Sequence, residues 1–481
     1  MRDDLDKPPR LPGSALGAAP ASLSAGAVRW YQGVTAYQWW VYAVGAMAWL
    51  FDCMDQRLFT MVRSPALSQL LHLPEEHPVV TNYGTYATAA TMIGWAVGGL
   101  FFGVVGDRWG RVKTLSASIF VYSLFTGLCG LATSGWDFCL YRFLMGSGIG
   151  GAFAAAATLI AETMPDHARS TALGLFSALS VLGNMMGLAI GSQVFKPAQL
   201  YLPGILGHGV PGWRVAFFVG AMPAMLIVLV LRTLKESERW QQARKTAGEN
   251  LERQLGDLRS LFGHPRWRTN TIVAVCMATA GIVGVWGVAF WTPELITYAL
   301  TPAGGMASLP AAEQAALAGR ITQAKFLGNL FQDIGGFLGI LSFAPIANRI
   351  GRRKTFAGAF LVSFALIAYV FLTLDSAAKA YVVLPIMGYF NLSIMGGFVV
   401  YFPEIFPTRL RSTGTAFGYN VARLSAAIVM LLGNQIRDAL TALHFAHPFR
   451  VGAVVVSAVY VLGLAALLWA PETKDQPLPE E

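Results

Sequence analysis

Residues 103–113 read GVVGDRWGRVK, and residues 348–354 read NRIGRRK. Each of these basic loops lies between two apolar runs of about 20 residues, the length that a helix needs to cross a bilayer. Strands of about ten alternating residues cannot produce such runs, so we predict an all-α membrane protein with twelve transmembrane helices. The predicted spans lie near 38–61, 82–105, 114–133, 137–160, 171–194, 213–232, 271–293, 324–346, 356–374, 380–402, 413–434 and 449–470.

The composition excludes a soluble protein. Hydrophobic residues make up 55% of the 481 residues and charged residues only 13%, whereas soluble domains carry about 25% charged residues. The net charge of +9 does not indicate nucleic-acid binding, because 24 of the 35 Lys and Arg residues lie on the side of the predicted loops that holds the N-terminus. The positive-inside rule then predicts a multi-pass protein of the cell (inner or plasma) membrane with both termini in the cytoplasm.

An internal repeat divides the chain into two halves. Besides the two basic loops, Glu162-x-x-Pro165-x-x-x-Arg169 follows the fourth predicted span, and Glu404-x-x-Pro407-x-x-x-Arg411 follows the tenth. The loops are 241 residues apart and the second pair of motifs 242, so we infer a gene duplication. The predicted domains are a flexible cytoplasmic tail (1–35), an N-terminal six-helix bundle (36–233), a cytoplasmic linker (234–269), a C-terminal six-helix bundle (270–471) and a cytoplasmic tail (472–481).

These motifs resemble those of the major facilitator superfamily. The loop at 103–113 is similar to its signature, and Arg142-x-x-x-Gly146-x-Gly148-x-Gly150 resembles the fourth-span pattern of its sugar-porter-like branch. Pro471–Lys474 and Glu236–Trp240 resemble motifs that follow that branch's twelfth and sixth spans. The resemblance implies two pseudo-symmetric six-helix bundles and secondary transport by alternating access.

Two departures bear on the substrate. The seventh span, Thr271–Pro293, contains none of the glutamines found in sugar porters. The first span reads Asp52-Cys53-Met54-Asp55, which looks like the D-x-x-D of aromatic-acid and other organic-acid proton symporters. The resemblance therefore favours an organic acid, which could be aromatic, over a sugar.

Ionisable residues within spans are the candidate chemistry, because a charge at mid-membrane costs about 2.5–3.5 kcal/mol. Asp52 and Asp55 share one helix face, and both burial and mutual repulsion favour their protonated forms. Alternatively, the first span ends at Phe51 and both carboxylates lie in outer water. The family resemblance pairs Asp55 with Arg142, whose own alternative is a structural hydrogen-bonding role.

Candidate substrate-binding residues lie mainly in the C-terminal half. Arg423 in the eleventh span is a possible anchor for a substrate carboxylate; alternatively, Asp333 in the eighth span neutralises it. Trp286 is either the floor of an aromatic site or part of a lipid-interface belt. The remaining polar candidates, which could also tie helices together, are Gln332, Asn391 and Asn184.

The repeated loops are expected to act as a gating motif, because their charges are shielded when the inner gate closes and wetted when it opens. We expect Asp107 to pair with basic neighbours, Glu162 and Arg169 to join that network, and Glu404 to pair with Arg349 and Arg411. Asn348 replaces the acid in the second copy, which predicts a weaker latch there. The complete predicted motif is Gly103, Asp107, Arg108, Gly110, Arg111, Lys113, Glu162, Arg169, Asn348, Arg349, Gly351, Arg352, Arg353, Glu404 and Arg411.

The sequence thus predicts a proton-coupled symporter of a small organic acid. The alternatives are a sugar, polyol or drug carrier of the same superfamily, and a membrane receptor or sensor without net flux. We expect no enzymatic activity, no cofactor other than the coupling proton, no metal site and no nucleic-acid partner. The expected surroundings are lipid and a small-molecule substrate, with the protein as a monomer. The four cysteines are expected to be inert buried thiols.

Overall fold

All regular structure in the described part of the chain is helical. The computed structural model describes residues 30–75, 77–191, 211–238, 240–241, 258–288, 291–302, 308–407, 410–474, 476 and 479. Nine spans are single helices: Ala36–Leu71, Pro78–Trp109, Arg111–Cys129, Gly135–Thr163, Asp166–Ala189, Ala311–Ile350, Arg352–Thr373, Ala377–Ile405 and Arg411–Ala442. The sixth span consists of Gly212–Gly220 and Ala224–Thr233, the seventh of Pro265–Ile282, Val283–Val288 and Thr292–Leu300, and the twelfth of Pro448–Ser457 and Val459–Ala466. The predicted twelve-span fold in two six-helix bundles is confirmed.

The first span differs from the others in composition. Eleven helical spans in the described ranges are long and apolar enough to cross a membrane, and Ala36–Leu71 is not among them. This helix of 36 residues carries Asp52, Asp55, Arg57 and Arg63, which lower its hydropathy. The span that is least suited to lipid is therefore the one that carries most of the candidate chemistry.

The gene duplication is visible in the helix packing. Gly94 and Gly98 of the second span lie against backbone carbonyls of the fourth span, so a Cβ at either position would overlap them. Gly335 and Gly339 of the eighth span, each 241 residues later, lie in the same way against the tenth span. Gly146, Gly148, Gly150 and Gly151 of the fourth span also permit close packing, since a Cβ at any of the four would overlap the second or third span.

The two bundles meet mainly through two pairs of spans. The second span packs against the eleventh, and the fifth packs against the eighth, as a pseudo-twofold relation between the halves requires. Gly99 of the second span lies against the Asn420 amide, and Ala178, Val181 and Ile340 form an apolar cluster between the bundles. We call the side where the first span begins and the twelfth ends the termini side, and the opposite one the distal side.

Two predictions about connections need correction or remain untested. The predicted spans leave 294–323 as a connection, but helices extend to Leu300 and begin again at Ala311, because a helix can continue into water beyond the hydrocarbon core. The predicted linker (234–269) falls partly outside the described residues: Leu258–Gly263 is helical, and 242–257 is not described. Of the predicted tail (1–35), residues 1–29 are also outside them.

Candidate functional site

The acidic residues of the first span lie inside the protein. Asp52 and Asp55 are each 1% exposed, and the helix continues for 16 residues beyond Asp55, to Leu71. The alternative in which the span ends at Phe51 and leaves these carboxylates in outer water is therefore wrong. Burial of an unpaired carboxylate is costly, so each needs a partner or a proton.

Asp55 and Arg142 form a buried ion pair between the first and fourth spans. Arg142 Nη1 lies 3.6 Å from Asp55 Oδ2, and both side chains are at most 1% exposed. Arg142 Nε also donates a hydrogen bond to Thr91 Oγ1 at 3.1 Å, and its guanidinium lies 3.7 Å from the centre of the Phe59 ring. These contacts hold the arginine in place. Its separation of 3.6 Å from Asp55 is longer than a hydrogen bond, so protonation of Asp55 can break the pair.

Asp52 lies between the ion pair and a second arginine. It interacts electrostatically with Asp55, Arg423 and Arg142, yet neither of its oxygens accepts a hydrogen bond from any residue that the structure describes. Two carboxylates thus share one buried region with two arginines. Burial and the repulsion between the two carboxylates favour a bound proton, and the two arginines oppose it, so a cluster of this kind can both take up and release a proton.

The side chain of Arg423, on the eleventh span, contacts the N-terminal bundle. Its guanidinium lies 4.3 Å from the centre of the Trp95 ring, and its Nη1 donates a hydrogen bond to Asn420 Oδ1 at 2.7 Å. Trp95 in turn makes an edge contact with Trp286 of the seventh span, with ring centres 5.8 Å apart. Because Trp286 lies between the bundles, the lipid-belt alternative is wrong for this residue.

Trp286 occupies an irregular part of its span. Val283–Val288 is a π-helical turn, and such turns are frequent at functional sites. Gly284 allows Tyr460 of the twelfth span to pack against this turn, because a Cβ at position 284 would overlap the Tyr460 hydroxyl. Only the succession of glycines at 281, 284 and 287 marks this break in the sequence.

A cavity opens between the bundles on the distal side. It has a volume of about 220 Å³ and is lined by the distal halves of the first, second, seventh, eleventh and twelfth spans. Its charged lining residues are Arg57, Arg63, Arg437 and Glu294. Below it, a void of about 10 Å³ is lined by Gln56, Phe59, Thr60, Thr88, Thr91, Met92, Trp95 and Trp286. Toward the termini side, the second and eleventh spans close together at Gly99 and Asn420.

Asp333 pairs with Arg57 rather than with Arg423. Arg57 Nη2 lies 3.7 Å from Asp333 Oδ2 and donates a hydrogen bond to Asn329 Oδ1 at 2.9 Å. This contact joins the first span to the eighth, across the two bundles. The predicted neutralisation of Arg423 by Asp333 is therefore wrong, because a different arginine occupies the position next to that carboxylate.

The other polar candidates do not converge on the cavity. Asn391 accepts a hydrogen bond from the Tyr460 hydroxyl at 3.2 Å and so ties the tenth span to the twelfth. Gln332 lies at a contact between the eighth and tenth spans, where its backbone carbonyl packs against Gly388. Asn184 is half-buried on the fifth span. Among the described lining residues, none of these three contributes to the cavity.

The repeated loops form two matching ion pairs on the termini side. Arg111 Nη2 lies 3.0 Å from Glu162 Oε1, and Arg352 Nη2 lies 3.0 Å from Glu404 Oε1. The partner of Glu404 is therefore Arg352 and not the predicted Arg349, whose carbonyl instead accepts from Lys474. Each pair lies within one bundle, so it braces that bundle rather than bridging the two.

The amide of the second copy, Asn348, binds the arginine of its own loop. Asn348 Oδ1 accepts a hydrogen bond from Arg352 Nη1 at 2.6 Å, and in the first copy the Gly106 carbonyl accepts from Arg111 Nη1 at 2.6 Å. Arg169 Nε donates to the Ala161 carbonyl. The backbone at Asp107 and Arg411 is helical, but their side chains are outside the described part, so their predicted pairings remain predictions.

A carboxylate caps the helix that follows each loop. Glu236 accepts hydrogen bonds from the backbone N–H groups of Arg111 and Val112, and Glu472 accepts them from Arg352 and Arg353. Although partial burial by itself would raise the pKa of Glu472, the backbone N–H donors hold that pKa below its ordinary value. These acids belong to the two motifs at 236–240 and 471–474, and they were missed as site residues because each caps a helix more than 100 residues away.

The glycines of the loops are required by these caps. Gly110 has a φ of +105° and Gly351 a φ of +99°, a backbone region that residues with a Cβ rarely adopt. A Cβ at Gly110 would also overlap the Glu236 carboxylate, and one at Gly351 would lie 2.8 Å from Glu472 Oε2. The remaining basic residues, Arg108 and Lys113, are exposed.

Comparison with known proteins identifies the family. The sequence profile of the "Sugar (and other) transporter" family matches residues 29–263 and 320–480. The cis,cis-muconate transport protein of Acinetobacter baylyi is 30% identical over 70% of this chain and 74% of its own length. A probable 4-methylmuconolactone transporter of Cupriavidus pinatubonensis is 26% identical over 92% of this chain and 93% of its own.

The fold has a close structural counterpart. The solved structure of the proton:xylose symporter XylE bound to 6-bromo-6-deoxy-D-glucose matches with a TM-score of 0.70 and 18% identity, covering 92% of this chain and 98% of XylE. At this identity the likeness concerns the fold alone. The family and the relatives above are transporters and not enzymes. The chain is thus a membrane transporter that belongs to the sugar (and other) transporter family of the major facilitator superfamily.

Proposed function

We propose that this transporter is a proton-coupled symporter of a small organic acid anion. The observation that carries the proposal is the buried cluster of Asp52, Asp55 and Arg142, placed directly beneath an arginine-rich cavity between the bundles. Arg142, the partner of Asp55, contacts Phe59 and Thr91, which line the void below the cavity, and in this proposal water that enters from the cavity exchanges a proton with Asp55.

The charge of the cavity supports an anionic substrate. Its lining contains three arginines and one glutamate, and a concave surface with excess positive charge raises the local concentration of anions. The relatives described above point in the same direction, since they are named for the transport of muconate and 4-methylmuconolactone. Phe59, Trp95 and Trp286 below the cavity offer an aromatic surface for the apolar part of such an acid.

The proposed coupling step is the protonation of Asp55. While Asp55 is ionised, it holds Arg142 at 3.6 Å and joins the first span to the fourth. A proton on Asp55 removes this attraction, and Arg142 then depends on Thr91 and Phe59 for its remaining contacts. In this mechanism the ionised carboxylate of Asp55 disfavours the ionised form of Asp52, because two carboxylates repel each other. Arg423, beneath Trp95, attracts the bound anion.

Symport with one proton explains how an anion can accumulate. A membrane potential that is positive outside opposes anion entry by about 2.3 kcal/mol per charge at 100 mV. One proton per monoanion makes the step electroneutral and removes this opposition. The cavity is open on the distal side, which the positive-inside rule assigns to the outside, so the structure corresponds in this proposal to a state ready to load from outside. The proposal also places both termini in the cytoplasm of the cell membrane, with the protein acting as a monomer.

A screen of the purified protein tests this function. Thermal shifts are measured with nicotinate, benzoate and cis,cis-muconate, with the uncharged amides of these acids, and with xylose, at two pH values. Binding to the native state raises the unfolding temperature, so the acids should stabilise the protein, more strongly at the lower pH. Stabilisation by xylose alone would support the sugar-carrier alternative. Binding of an acid without uptake into proteoliposomes would support a receptor.

A further inference from the structure

The link between Arg57 and the eighth span has features that the proposed function leaves unexplained. Arg57 is 8% exposed, lines the cavity, and is bound on one side by Asn329 and Asp333 of the opposite bundle. Its Nε has no hydrogen-bond partner among the described residues. A guanidinium offers five N–H donors, so this arginine retains donor capacity at the edge of the cavity.

Asp333 is an incomplete partner for that arginine. Its Oδ2 lies 3.7 Å from Arg57 Nη2, and this oxygen accepts no hydrogen bond from the part of the chain that the structure describes. A carboxylate that engages a guanidinium with both oxygens forms two short parallel hydrogen bonds, which are stronger than a single contact at this separation. Asp333 thus neutralises the charge of Arg57 but does not accept the two parallel hydrogen bonds that a guanidinium can donate.

We propose that Arg57 is the residue that binds the carboxylate of the substrate, and that Asp333 is a resident competitor which the substrate displaces. This proposal rests on the proposed function, since it requires an acid as substrate. An acid that enters the cavity meets Arg57 before the Trp95 and Trp286 layer, so its apolar part can reach those rings while its carboxylate stays at Arg57. The displacement releases the contact between the first and eighth spans. Substrate binding and the loosening of the two bundles therefore occur in one step.

Arg63 offers a useful comparison on the same helix. It also lines the cavity and also meets a carboxylate of the opposite bundle, with Nη2 at 3.5 Å from Glu294 Oε1. Its side chain is 27% exposed and that of Glu294 48%, so water screens this pair. A general electrostatic attraction for anions would make Arg57 equivalent to the other cavity arginines, Arg63 and Arg437, whereas a specific binding site would make only Arg57 essential.

A double-mutant cycle separates these possibilities. Dissociation constants for nicotinate, benzoate and cis,cis-muconate are measured by calorimetry for the wild type, Arg57→Gln, Asp333→Asn and the double variant, with Arg437→Gln at the cavity rim as a control for loss of one positive charge. Arg57→Gln should weaken binding of an acid at least about tenfold, because charge-assisted hydrogen bonds are lost, and should leave binding of its amide unchanged. Asp333→Asn should strengthen acid binding, and this gain should vanish when Arg57 is also replaced.

The outcomes distinguish this inference from the proposed function. If no acid binds the wild type, the proposed function fails. If acids bind the wild type and Arg57→Gln alike, or if Arg437→Gln weakens binding as much, the assignment of Arg57 is overturned while the proposed function stands. Arg57→Gln leaves Asp333 buried without its partner and can destabilise the fold. The double variant removes both charges and gives the same information: equal acid affinity in it and in the wild type would also overturn the assignment.

Discussion

Replacement of Asp55 by Asn is the most direct perturbation of the proposed coupling site. The ion pair with Arg142 spans 3.6 Å, so with an effective dielectric constant of about 20 the attraction is roughly 5 kcal/mol. Removal of one partner of a buried pair typically costs about 3–5 kcal/mol, because the other charge remains buried. Asp55→Asn should therefore lower the free energy of unfolding by several kcal/mol, and a second replacement, Arg142→Gln, should restore part of it.

The effect on transport follows from the same pair. A difference of one pH unit is worth about 1.4 kcal/mol per proton, so one proton per electroneutral cycle supports about tenfold accumulation of the substrate. Asp55→Asn cannot carry that proton, and the ratio of inside to outside concentration should fall from about ten to about one. Exchange of labelled for unlabelled substrate needs no net proton movement and should continue.

The assay uses proteoliposomes with an imposed pH difference and a radiolabelled acid that binds the wild type. Asp137→Asn serves as the control, because this carboxylate lies in the first turn of the same fourth span as Arg142 but is only partly buried and accepts a hydrogen bond from Thr133. It should leave accumulation unchanged. Accumulation by Asp55→Asn at the wild-type level would refute the coupling role. Loss of exchange as well, in a folded protein, would assign Asp55 to substrate binding instead.

Three further predictions concern the arginine beneath Trp95 and the loops. Arg423→Gln should weaken a carboxylate substrate more than its amide but less than Arg57→Gln does, measured by calorimetry, because Arg423 attracts the bound anion from beneath Trp95; equal losses for acid and amide would remove this electrostatic role. Gly110→Ala should lower the unfolding temperature by several degrees, because the new Cβ overlaps the Glu236 carboxylate at a positive φ; Gly103→Ala, which has open space, should not, and similar melting of both variants would contradict this account. Asp107→Ala should change the turnover rate more than the affinity in a transport assay, and an unchanged rate would leave that loop with a topological role only.

The sequence was most informative where a property depends on one helix alone. Runs of about 20 apolar residues predicted the spans, and the first span was placed correctly although its charges lower its hydropathy. The depth of Asp52 and Asp55 was left open by the sequence, because the uncharged part of that run ends at Phe51. Close packing at glycines 146–151 was also predictable, because a missing side chain has the same consequence whatever the neighbour is.

Partner choice between helices was less predictable. The Asp55–Arg142 contact came from family resemblance and not from spacing, and Asp333 was expected to meet Arg423 but meets Arg57. Glu404 was expected to meet Arg349, and its partner is Arg352, three residues along the same loop. In each case several cations lie at a similar depth, and small helix rotations decide which one is reached.

By itself, the sequence determined the twelve spans and the two matching halves, since hydrophobic length and the repeated motifs are local properties that survive any arrangement of the helices. That the chain is a transporter was implied by its family resemblance. Only the tertiary structure decided that Trp286 lies between the bundles, that Arg57 faces a cavity, and that Glu236 and Glu472 cap distant helices. The physical reason is that these contacts join helices from different parts of the chain. Their geometry depends on the rotation and offset of one helix against another, which no periodicity within a single helix encodes.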